Sequence, residues 1–289
     1  MQDPATIDRP QPGLDQGRRD FVRAGLGSGF AAAVLPVAAQ TQINTDSTGL
    51  TVGEVTIPVG DFKLPAYRAM PTGKSNLAVV LVASEIFGVH EHIADVARRL
   101  ARQGYLAIAP ELFVRQGDPG RYGEVAKLIA EVVNQAQDAQ VMADLDACVA
   151  WAATQGGDTS KLGITGFCWG GRIVWMYAAH NPALRAGVAW YGPVARAYAA
   201  GDPSAIDAAP RIKAPMLGLY GGEDPGIPND TLARMREALL ASGNQRSEIV
   251  IYPGMPHAFF ADYRPSYREE AAEDGWQRCL AWFKANGVA

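Results

Sequence analysis

The chain has 289 residues, 48% of them hydrophobic and 19% charged, which describes an ordinary globular protein with ample core for one large α/β domain. A formal net charge of −4, with Lys and Arg scattered rather than massed in a stripe, excludes the electrostatic footprint of a nucleic-acid binder. Three cysteines (Cys148, Cys168 and Cys279) are too few and too widely spaced for a disulfide scaffold, and no C-x-x-C pair suggests zinc or dithiol redox chemistry.

The N-terminal segment stands apart. Residues 17 to 40 read GRRDFVRAGLGSGFAAAVLPVAAQ, with Arg18-Arg19 ahead of a Gly/Ala-rich apolar run that closes on small residues. Consecutive arginines before a modest hydrophobic segment predict a twin-arginine export signal and a periplasmic destination. The competing reading is an ordinary amphipathic helix or leader, which would leave the protein cytoplasmic if residues 1–40 are retained. The run is too short and too rich in glycine for a comfortable membrane span, so no stable membrane insertion of the mature domain is expected.

From Gly49 onward, strand and helix patterns alternate. TVGEVTIPVG and FKLPAYRAMP predict an opening hairpin, and LAVVLVAS is the continuous apolar run of a strand buried on both faces. EHIADVARRLARQG places Ile93, Val96, Ala97, Leu100 and Ala101 on one helical face and ends at Gly104. YLAIAPEL is a second buried strand. Helical patterns fill residues 121 to 155, clearest in VMADLDACVAWAATQ, where Cys148 falls on the apolar side. LGITGF is a strand, WGGRIVWMYAAH a helix, AGVAWYG and APMLGLYG strands, and residues 199 to 215 a loop. NDTLARMREALLASG is a helix, SEIVIYPG the last strand, and SYREEAAEDGWQRCLAWFKANG a closing helix carrying Cys279 among core residues. Strands separated by helices imply one α/β domain over residues 41–289, a mostly parallel central sheet flanked by helices on both faces.

Gly166-Phe167-Cys168-Trp169-Gly170 has the G-x-nucleophile-x-G spacing of the α/β-hydrolase elbow, with cysteine in place of serine. A strand reversing sharply into a helix strains the central residue and forbids bulk two positions away on each side. The helix N-terminus that follows favours a thiolate. In the chain order of this fold, an acid and a base should follow. LYGGEDPGIP offers Glu223 and Asp224. Asp224 sits at the loop just past the strand, far enough beyond Cys168 for one strand–helix–strand passage. IYPGMPHAFF supplies His257, the one of four histidines in the right topological place. His90-Glu91-His92 invites a metal reading, but on a helix positions i and i+2 point about 200° apart, so the imidazoles would diverge. No metal and no cofactor is expected.

These motifs identify a resemblance. SEIFGVHEHIADVARRLARQGY, APELFVRQ, GITGFCWGGR, LYGGEDPGIP and PGMPHAFF, over roughly residues 50 to 287, resemble the dienelactone hydrolase (carboxymethylenebutenolidase) family. The resemblance implies the α/β-hydrolase fold and a Cys168–His257–Asp224 triad that cleaves small esters or lactones through a thioester. It also implies that Glu85 lies beside the resting thiol and releases it toward the histidine when substrate enters. The backbone N–H groups of Ile86 and Trp169 would form the oxyanion hole. Of the two arginines that hold a substrate carboxylate in the family, Arg115 matches one. The second position, four residues after the histidine, is Ala261 here, with Arg264 three further on. The expected partner is a small ester or lactone, and a monomer is the expected state. Two other readings are a binding protein that keeps the pocket without turnover, and thiol redox or acyl-carrier chemistry at Cys168. The intact set of three residues argues against the first, and the lack of a nearby resolving cysteine against the second.

Overall fold

A computed structural model describes residues 42–289; the predicted export signal lies outside the described residues. One eight-stranded sheet runs in the order β1-β2-β4-β3-β5-β6-β7-β8. β1 (Leu50–Val59) and β2 (Phe62–Pro71) form the expected antiparallel hairpin, and β2 also runs antiparallel to β4 (Leu106–Pro110). The remaining pairings, through β3 (Leu77–Ala83), β5 (Gly157–Phe167), β6 (Ala186–Trp190), β7 (Met216–Gly221) and β8 (Glu248–Tyr252), are parallel. Residues 78–83 and all of β4, β6 and β7 are buried, as continuous apolar runs require when both faces are covered. The edge strand β1 alternates instead, with Ile57 buried while Glu54, Thr56 and Pro58 face outward.

Strand order and the right-handed crossover rule together place the helices. The step from β3 to β4 goes one way and carries α1 (Glu91–Arg102). Every later step, β4 to β5 and on to β8, goes the other way. These steps carry α2 (Val125–Glu131), α3 (Asp138–Thr154), α4 (Trp169–His180), a single turn α5 (Ala205–Ala208) and α6 (Asn229–Ala241) to the opposite face. α7 (Glu269–Ala285) returns to pack on β6 and β7. The direction therefore reverses between β3 and β5, and their carboxyl ends open the crevice where doubly wound sheets bind ligands.

Three local features depart from the sequence reading. β5 begins at Gly157 rather than at Leu162, because Gly157 and Asp158 pair with Leu77 and Ala78 before the register shifts to Val79↔Leu162. Asp158 closes that bulge by accepting from the Ser160 N–H and hydroxyl. The stretch 199–215 is not all loop: Ser204 and Asp207 form a reciprocal capping box that starts α5. Finally, His90 lies ahead of α1, with φ −93° and ψ 180°, so the divergence expected on a helix does not apply to it. Its ring stacks on His92 at 6.0 Å and 20°.

A buried charge cluster ties α1 to the first described residues and to the loop after β8. Asp95 accepts from Arg98, Arg99 and the Thr45 N–H. Arg99 also pairs with Asp262, which takes a long hydrogen bond from the Ile43 N–H at 3.4 Å.

Candidate active site

Cys168 joins β5 to α4 with φ 55° and ψ −117°, a left-handed conformation that a side-chain-bearing residue adopts only under constraint. The flanking glycines are required by contact. A Cβ on Gly166 would stand 2.5 Å from the Gly170 carbonyl oxygen, and one on Gly170 would stand 2.2 Å from that of Ala83. The turn is pinned by the Cys168 N–H donating to Trp190 O at 3.0 Å. Arg172, the arginine closing GITGFCWGGR, is fully buried and bidentate to Asp138, both N···O distances 2.7 Å. It also donates to the Pro203 and Arg196 carbonyls, fastening α4 to the start of α3 and to the loop after β6.

Three residues from distant parts of the chain meet at this turn. His257, on the loop after β8, has Nδ1 2.5 Å from Asp224 Oδ2, and its imidazole also hydrogen-bonds the Cys168 thiol. Asp224 is buried and its other oxygen accepts from the Gly226 N–H, whereas the neighbouring Glu223 is exposed. Glu223 contributes through its backbone, donating to Met255 O and so joining the two loops. Burial opposes a charge on His257, but the hydrogen bonds to Asp224 and Cys168 outweigh it and raise the imidazole to about 10. The Tyr191 ring packs edge-on to His257 at 5.1 Å.

Glu85 follows β3 at the other side of the crevice and is buried. Its Oε2 accepts from the Tyr263 hydroxyl and lies 3.3 Å from His90 Nε2, while Oε1 lies 3.8 Å from Arg264 Nη1. Burial alone would protonate it; the His90 hydrogen bond and the Arg264 charge prevail and hold it at about 2. Burial also keeps His90 neutral, so it serves Glu85 as an N–H donor. Neither carboxylate oxygen of Glu85 bonds to the Cys168 thiol. His92 Nδ1 is 2.9 Å from Asp262, and among the described residues no group of His, Cys, Asp and Glu could hold a metal ion.

The remaining sequence candidates divide. Ile86 follows Glu85 at the end of β3 and Trp169 opens α4, and neither N–H is among the turn and loop backbone hydrogen bonds of the described residues. The guanidinium of Arg115 is bound instead to Asp144, at 2.5 and 2.8 Å, and stacks 3.8 Å above the Phe62 ring. Sequence reasoning missed Tyr263, Tyr191 and Tyr198. Tyr191, Tyr198 and Arg264 all lie within electrostatic reach of the Cys168 side chain, and burial above all raises Tyr198 to about 12. The signal for Tyr263 and Arg264 was their position just after the PHAFF stretch. Tyr191 was signalled only by its place at the end of β6.

Comparison with known proteins agrees with this architecture. The model of the dienelactone hydrolase family matches residues 64–287. A Methylorubrum extorquens protein provisionally named a carboxymethylenebutenolidase is 56% identical over 279 residues, covering 94% of each chain. An Escherichia coli (strain K12) protein with the same provisional name is 51% identical over 262 residues, covering 90% of this chain and 96% of its own. A Klebsiella pneumoniae crystal structure provisionally named a dienelactone hydrolase superposes with a TM-score of 0.79 at 55% identity, over 81% of this chain and 98% of that one. With its α/β-hydrolase fold, this chain is a hydrolase that belongs to the dienelactone hydrolase family.

Proposed function

We propose that the protein hydrolyses small esters or lactones with Cys168 as nucleophile, His257 as general base and acid, and Asp224 as the group that orients the imidazole. The observation that carries this reading is the hydrogen-bonded line from the strained Cys168 through His257 to Asp224. The sulfur adds to the substrate carbonyl carbon, and the oxyanion that forms is met by the Ile86 and Trp169 N–H groups. Each such donor is worth roughly 10²–10³ in rate. Collapse expels the alkoxide, which takes its proton from His257, and leaves a thioester on Cys168. His257 then deprotonates a water that attacks the thioester, releasing the carboxylic acid and restoring the sulfur. For a lactone, alcohol and acid leave as one molecule.

The curated relatives' provisional names point to the same substrate class. With Arg115 bound to Asp144, the two-arginine clamp for a substrate carboxylate is incomplete, so neutral aryl esters should be accepted alongside anionic ones. Residues 1–40 are read as the export signal that delivers the enzyme to the periplasm; N-terminal sequencing of the protein from its host should find a start beyond Met1. The decisive test is Cys168→Ala, which should abolish p-nitrophenyl acetate hydrolysis. Near-native turnover in that variant rejects the assignment.

A further inference from the structure

The loop that leaves β6 runs along the nucleophile turn and is fixed to it at successive points. Trp190 O receives the Cys168 N–H at 3.0 Å, and a Cβ on Gly192 would stand 2.2 Å from the Gly171 carbonyl carbon. Further on, Arg196 O receives Nε of the buried Arg172 at 3.1 Å. Val194 and Ala199, on either side, are buried, whereas Arg196 itself is exposed. We propose that Arg196, presented on the Tyr198 ring, binds a carboxylate carried by the substrate and so selects carboxylated esters or lactones. The proposal rests on the reading of the protein as an ester or lactone hydrolase.

Arg196 is held ready for such a ligand. Its guanidinium carbon lies 4.5 Å from the centre of the Tyr198 ring, and that of Arg172 lies 5.9 Å from the same ring. Tyr198 is within electrostatic reach of the Cys168 side chain, so the guanidinium stacked on it stands beside the reacting centre. A guanidinium resting on an aromatic face keeps its N–H edge free for a carboxylate. The stacking also limits the side-chain freedom that binding must remove.

The other arginines around the crevice are already engaged. Arg172 is bidentate to Asp138, Arg115 is bidentate to Asp144, and Arg264 faces Glu85 at 3.8 Å. Among the described residues no carboxylate pairs with Arg196. A substrate carboxylate meets an unneutralised charge there, whereas at Arg115 it would have to displace Asp144. Because Arg196 is exposed, water and salt screen the attraction, which therefore discriminates between substrates more than it tightens binding. A contact remote from the reacting bond holds ground state and transition state alike, so its effect falls on KM.

Two matched pairs of esters, assayed with the full chain, test this. One is p-nitrophenyl hydrogen adipate beside its methyl ester, with the carboxylate on the acyl side. The other is meta-acetoxybenzoate beside its methyl ester, with the carboxylate on the alcohol side. The ratio of kcat/KM for the anionic over the neutral ester cancels any loss of active enzyme, so it reads the charge even in a variant that folds poorly. In Arg196→Ala the ratio should fall about tenfold for at least one pair, chiefly through KM, the low end of what a hydrogen bond to a charged group contributes. Arg196→Glu should lower it further, and Arg196→Lys should recover only part, since lysine keeps the charge without the planar face. Added NaCl should lower the wild-type ratio more than that of Arg196→Ala. A fall of less than about threefold in Arg196→Ala for both pairs overturns the proposal, being within what a screened surface charge does without a specific contact. That result, with hydrolysis still lost in Cys168→Ala, leaves the nucleophile assignment standing; hydrolysis that survives Cys168→Ala removes that assignment itself.

Discussion

Gly170→Ala tests the elbow with one methyl group. The new Cβ would stand 2.2 Å from the Ala83 carbonyl oxygen and 2.5 Å from that of Ser84, where ordinary contact begins at 3.4 Å. The end of β3 and the start of α4 must therefore move apart, and both obstacles are backbone that no rotamer change can shift aside. Overpacking of this kind costs about 1–3 kcal/mol, which lowers the unfolding midpoint by roughly 2–12 °C in a domain of this size. The larger effect falls on turnover, because β3 leads into Glu85 and Ile86 while α4 starts at Trp169. A displacement of about 1 Å, the size of the shortfall in contact distance, costs on the order of 100-fold in rate when it falls on a reacting constellation. The assay is kcat/KM for p-nitrophenyl acetate beside thermal unfolding, with Gly123→Ala as control, since a Cβ there meets nothing within 4 Å. The control should stay within about 0.5 kcal/mol of wild type. A Gly170→Ala enzyme within twofold of wild type in kcat/KM would refute the steric account of the turn.

Other outcomes follow from the same geometry. Asp224→Asn removes the charge that supports the imidazolium, so kcat should fall roughly 10³–10⁴-fold in steady-state assays and the imidazole should titrate at lower pH by NMR. Arg172→Ala strands the buried Asp138 carboxylate and should cost about 3–5 kcal/mol in urea unfolding, whereas an unchanged urea midpoint would show that α4 is fixed by other contacts. Glu85 is held near 2 against an ordinary 4.5, so its contribution is complete above about pH 4.5 and drains away as pH falls toward 2; at about 1.4 kcal/mol per unit it is worth about 3 kcal/mol. Urea midpoints measured from pH 6 down to 3 should decline less steeply in Glu85→Gln. His257 has the opposite sign: raised from 6.5 to about 10, its stabilisation is full below pH 6.5 and is lost as pH rises through 10, a decline that His257→Asn should flatten.

What could be read from the sequence were the local signals. Continuous apolar runs marked β3, β4 and β6, because burial on both faces leaves no room for alternation. The spacing Gly166–Cys168–Gly170 marked the elbow, because close backbone approach admits only glycine there. Chain order was enough to separate His257 from the other three histidines and Asp224 from its exposed neighbour Glu223. What escaped were pairings across long sequence separations. Tyr263 reaches Glu85 across 178 residues and Arg115 reaches Asp144 across 29, and no periodicity encodes either contact. The His90–His92 spacing suggested divergence only because helical geometry was applied to both; His90 is the extended residue just ahead of Glu91, and there the rings stack.

Arg99 grips Asp95 and Asp262 at once, and those two carboxylates receive the Thr45 and Ile43 amides. The strip where the described chain begins is thereby laced to the loop that carries Tyr263 and Arg264. A chain cut before Ile43 would keep this lacing whole, whereas a cut beyond Thr45 would unfasten the loop that carries Tyr263 and Arg264.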